Sequence, residues 1–140
     1  MAQKHIPNIS HLSSHMNCSY FSEDVKALTQ KLAKEYKIPV DPAIELGYVG
    51  YDGPHQTLAE KKQSFLKMLD KLEPGKPYVF VEHPGFDNEE LKAIHHIGYE
   101  QVAADRQGVT DLFTDGEIRK YMARNGVQLI GYKDLIENRN

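Results

Sequence analysis

YVFVEHPG, residues 78–85, is a continuous apolar run that ends on a carboxylate, a histidine and a turn. Apolar residues in succession, without alternation, are the pattern of a strand covered on both faces, as in a parallel sheet. Pro84 fixes φ and Gly85 permits a reversal, so the backbone turns directly after His83 and leaves that side chain at the strand's carboxyl end. Helical patterns flank the run. Upstream, Thr57 and Glu60 spell a capping box, and Leu58, Phe65, Leu69 and Leu72 share one face until EPGKP stops the helix. Downstream, Asp87 with Glu90 is expected to open a helix. Thr114 with Glu117 is expected to open another, carrying Ile118, Tyr121 and Met122 and ending near Gly126.

Further out, Phe21, Val25, Leu28, Leu32 and Tyr36 recur at helical spacing behind the N-cap candidate Ser22, with Pro39 beyond the end. NISHL, residues 8–12, suits a brief strand after Pro7, and VQLI, residues 127–130, a last strand before a terminal turn or helix in KDLIEN. DPAIELGYVGYDGPHQ, residues 41–56, is rich in breakers and reads as a loop, with a short strand in IELGYV. Strands alternating with helices predict an α/β architecture with a largely parallel sheet. Three or four strands are few for a closed barrel. The chain of 140 residues carries no repeat or low-complexity tract and reads as one domain, residues 1–140.

The formal net charge of −3, with basic residues dispersed along helices, removes the electrostatic footprint of a nucleic-acid binder. The single cysteine, Cys18, excludes an intramolecular disulfide and a thiolate metal cluster. No apolar run approaches the roughly 20 residues that span a bilayer. MAQKHIPNIS lacks the apolar core of a signal peptide, so a cytoplasmic location is the default expectation, with no membrane partner.

In α/β folds the chemistry sits beyond the carboxyl ends of the strands. His11 and His15 follow the first predicted strand and His83 the second. On a straight strand, residues four apart stand about 13 Å from one another, so His11 and His15 cannot share one ion there. A bend after Leu12 would let either meet a ligand from elsewhere, and neutral imidazole suits Zn²⁺ and related metals. The competing reading makes one a surface histidine and the other a hydrogen-bonded one at a strand end. Arg106 can pair bidentately with a carboxylate or hold a substrate oxygen, although Asp105 offers it a local ion pair. His95 and His96 read as structural. Tyr48 and Tyr51 in the loop offer a stacking surface for a sugar.

SHLSSHM (residues 10–16), KLAKEYKIP (31–39), VFVEHPGFDNEEL (79–91), DRQGVTDLFT (105–114) and NGVQLIGYKDL (125–135), in this order, closely resemble the carboxyl-terminal half of the YdjC-like carbohydrate deacetylases. The resemblance implies a distorted (β/α) barrel, here a partial one, that binds one divalent metal ion, Mg or Zn, and hydrolyses the acetamido group of an N-acetylated sugar or oligosaccharide. It assigns a metal-ligand role to His11 or His15, an acid or oxyanion-stabilising role to His83, and a place near the site to Arg106. Ser13 stands where the family has an aspartate between the two histidines, and neither DDFG nor GLHL occurs. The expectation is therefore a truncated or split enzyme, inactive alone, that self-associates or needs an amino-terminal half. The alternative is an inactive relative that binds a sugar or a protein. His15 and His83 are expected within about 10 Å of one another if both leave one sheet edge.

Overall fold

In the computed structural model, which describes residues 2–41, 43 and 46–137, the capping box at Thr57 is formed as its sequence demands. Thr57 Oγ1 accepts from the Glu60 amide at 3.3 Å, and the Glu60 carboxylate accepts from the Thr57 amide at 2.9 Å. This starts α2 (Leu58–Leu69), which follows α1 (Glu23–Tyr36) and strand β1 (Gly47–Val49). Strand β2 (Tyr78–Phe80) comes next and pairs in parallel with β1, Gly47 opposite Tyr78 and Val49 opposite Phe80. Parallel neighbours need a crossover, and α2 supplies it. The remaining helices are α3 (Glu89–Lys92), α4 (Val102–Thr114), α5 (Gly116–Arg124) and α6 (Tyr132–Glu137). The fold is mixed α/β. Among the described residues the sheet has two strands, with no barrel.

The residues fall into two compact units, Met1–Leu46 with Leu129–Asn140, and Gly47–Gln128. In the second, Phe65, Met68 and Leu69 of α2 bury against Leu112 of α4 and Ile118 and Met122 of α5. Phe80 and Phe113 meet the Phe65 ring edge-on at 5.1 and 5.8 Å. In the first, Ser22 caps α1 by accepting from the Val25 amide, and Leu12 forms an isolated parallel bridge with Val40. The end of α1 is closed by Lys37 in the left-handed region (φ 54°), with the Ile38 amide donating back to Ala33 O at 2.9 Å.

Several sequence expectations change here. NISHL contributes only the Leu12 bridge, because Asn8 takes a positive φ of 62° that breaks an extended run. VQLI is no strand: with Gly126 at φ 69°, the Val127 amide donates to Met122 O and finishes α5, while Leu129 and Ile130 are exposed. Ile44 and Glu45 of IELGYV lie outside the described residues, and the strand there is Gly47–Val49. β2 is half-buried rather than covered on both faces. Asn88, not Asp87, caps α3, and Asp115, not Thr114, caps α5, since each carboxamide or carboxylate accepts from the amides that follow. Thr114 closes α4 instead, its hydroxyl donating to Thr110 O. The helix α4, for which the sequence offers no start signal, is the element that carries Asp105 and Arg106.

Candidate functional site

Because β1 and β2 run parallel, their carboxyl ends share one edge, and Tyr51 follows one strand while Glu82 and His83 follow the other. Helix α4 supplies Asp105 and Arg106, and α2 supplies Lys61. Lys61 is 1% exposed. Its Nζ donates to Asp105 Oδ1 at 2.6 Å and lies 5.3 Å from the centroid of the Tyr51 ring, within range of a cation–π contact. The second Asp105 oxygen accepts from the Tyr99 hydroxyl at 2.6 Å. Burial works to raise the Asp105 carboxyl, but the hydrogen bonds from Lys61 and Tyr99 and the lysine charge outweigh it and hold the group below its ordinary value. Tyr99 moves the other way: burial first, then the bond to Asp105, raises its phenol.

Asp105 therefore pairs with Lys61 and not with Arg106. Among the described residues the Arg106 guanidinium has no carboxylate in a salt bridge, and its Nε is buried without a hydrogen-bond acceptor. Its stem packs on Gly85, where an added Cβ would stand 3.2 Å from Arg106 Cβ. The HPG turn is tied to α4 by the Gly85 amide, which donates to Thr110 Oγ1 at 3.0 Å and Arg106 O at 3.2 Å. The Thr110 hydroxyl donates back to Gly85 O at 2.8 Å, and the Asp87 amide donates to Gln107 Oε1 at 2.9 Å. His83 is exposed beside this turn, and its ring makes no hydrogen bond among the described residues.

Tyr51 is half-buried, and its ring is already engaged: His55 stacks on it at 4.9 Å and Phe80 meets it edge-on at 5.1 Å. Burial, and then the neighbouring Glu82 carboxylate, push its phenol well above the ordinary range, so it remains a neutral hydroxyl. That hydroxyl is buried beside the Glu82 carboxylate. Of the two tyrosines expected to stack on a sugar, only Tyr48, 56% exposed, presents a ring to solvent.

His11 and His15 belong to the first unit, and His83 and Arg106 to the second. His11 shares a 2.9 Å hydrogen bond with Ser10 through Nδ1 and stacks on Tyr132 at 4.3 Å, while His15 is exposed at the start of a 3₁₀ segment. Among the described residues, no three of His, Cys, Asp and Glu stand together as metal ligands. His95 and His96 are both exposed, and His96 bridges Tyr99.

The partners of Asp105 and Tyr51, namely Lys61, Tyr99 and Glu82, were not anticipated from sequence. Lys61 had left a trace: it falls with Leu58 and Phe65 on the apolar stripe of α2, where a charged residue must find a buried partner. No family model matches the chain, and no curated protein matches it.

Proposed function

We propose that this chain carries the sugar-binding side of a carbohydrate deacetylase site of the YdjC-like type, on a partial (β/α) barrel, and that its ligand is an N-acetylated sugar or oligosaccharide. The supporting observation is the Arg106 guanidinium, a planar donor without a carboxylate at the strand-end edge, held against the HPG turn while Asp105 is fully engaged elsewhere. Such a donor suits an acetamido carbonyl or a ring hydroxyl. His83, exposed on the same turn, would exchange a proton with a leaving amine. Hydrolysis in such a site draws on a metal-activated water. In this reading the chain contributes binding groups and the histidine; among the described residues no three of His, Cys, Asp and Glu stand together as metal ligands. A second reading, an inactive relative that binds a sugar or a protein, is favoured by Ser13, exposed where a ligating carboxylate would stand.

Amide and side-chain NMR during titration with N-acetylglucosamine oligomers tests the proposal. Shifts should concentrate at Gly85, His83 and Arg106, and Arg106→Met should weaken binding about tenfold, the worth of one charge-assisted hydrogen bond. Saturating oligomer with no shift at these residues refutes it. The purified chain should show no deacetylase turnover with Mg or Zn. Turnover that survives repurification and vanishes with chelator would overturn the separation of binding from chemistry.

A further inference from the structure

The least economical feature of the second unit is a lysine sealed inside it. Lys61 is 1% exposed, and its stem passes α4 at Gly108, where a methyl group would stand 3.1 Å from Lys61 Cε. Two unfavourable choices meet there, a buried ammonium and a glycine in the interior of a helix. Neither is needed to fill the core, since an apolar residue of similar volume packs such a position at least as well. What the pair accomplishes is a fixed geometry: the ammonium, reaching over α4, holds one oxygen of Asp105 while Tyr99 holds the other. Arg106 is the next residue on that helix, and the HPG turn hangs on the same two turns of α4 through Arg106 O and Thr110.

We infer that Lys61 is the positioning residue of this edge: through Asp105 it sets the placement of α4 against α2, and with it the aim of Arg106 and the seat of the HPG turn. The guanidinium stays out of an ion pair because Asp105 is committed elsewhere, and stays aimed because the helix beneath it is clamped. The sugar-binding consequence rests on the function proposed above. The clamp does not.

The test compares wild type with the charge-free double variant Lys61→Met with Asp105→Asn, which keeps the shape of both side chains and leaves an acceptor for Tyr99. Removing both charges together avoids stranding either one, so the melting temperature should stay near that of wild type. At matched stability, the buried Arg106 Nε–H should exchange at least about tenfold faster with solvent, as expected for local loosening without global unfolding. Binding of N-acetylglucosamine oligomers should weaken by about the same factor, one charge-assisted hydrogen bond misaimed. Unchanged Nε–H protection in the double variant overturns the inference and makes Lys61 a packing residue only. Should the double variant fail to fold, Asp105→Asn alone serves, and wild-type Nε–H protection there overturns the inference equally. If wild type binds no oligomer yet Nε–H protection falls as described, the sugar reading fails and the positioning role stands.

Discussion

The stem of Lys61 runs past Gly108 with its ammonium anchored on Asp105, so it is held at both ends. Gly108→Ala would ordinarily favour a helix by about 1 kcal/mol. Here the new methyl would meet a side chain with no room to retreat, and overpacking of this kind costs about 1–3 kcal/mol. The variant should therefore lose stability in urea denaturation, and a gain would show that the Lys61 stem is free to move. The pH dependence follows from the same contact. Asp105 is held below its unfolded value of about 3.9. Its contribution is thus fully present above that value and is lost as pH falls through the folded pKa. Asp105→Asn should flatten the stability curve below about pH 4 relative to wild type. An acid limb of unchanged slope would assign the loss to other carboxylates.

At the level of elements, α2 was open to reading because its start is written in side chains, Thr57 and Glu60, and its stripe in Leu58, Phe65 and Leu69. Helix α4 was not. Its N-cap Gln101 makes no side-chain cap bond, and Gly108 interrupts the helical pattern in mid-course, so no start or stripe marks the helix in the sequence. The reason for Gly108 lies in α2, far along the chain, which a local pattern cannot report. The HPG turn was legible as a turn, but its attachment was not, because the bonds from Gly85 reach Arg106 and Thr110 on the unread helix. That attachment makes a prediction. Gly85→Ala would place a Cβ 2.8 Å from Leu91 Cδ2 and 3.2 Å from Arg106 Cβ. The leucine methyl can swing away, whereas the arginine Cβ is fixed to the helix. The turn must lift from α4 and stretch both Gly85 hydrogen bonds, at a cost of about 1–2 kcal/mol. Hydrogen exchange at the Gly85 amide should rise while the amides of α2 keep their protection. Equal protection at Gly85 in variant and wild type would mean that the turn is not seated as described.

For the whole molecule, the apolar surface left open is larger than the charge pattern suggests. The α1 stripe anticipated from sequence is formed as a helix face, yet Val25, Leu28, Leu32 and Tyr36 remain 36%, 55%, 39% and 52% exposed, with Phe21 at 88% just before it. In a monomer such a stripe faces the core. Here only Ala33 of α1 is buried. The two-stranded sheet leaves each strand with an unpaired edge among the described residues, and such edges seek partners. No helix among the described residues is long and apolar enough to cross a membrane, so a spanning helix does not account for the exposed face. Self-association through it is the expected outcome, and the net charge of −3 on 140 residues is too small to oppose it strongly. Light scattering should report a dimer or larger assembly that dissociates on dilution. Leu28→Lys with Leu32→Glu should shift it to monomer while leaving the second unit's amide spectrum intact, because neither residue belongs to that unit's core. A monodisperse wild-type monomer at high concentration would refute association through this face.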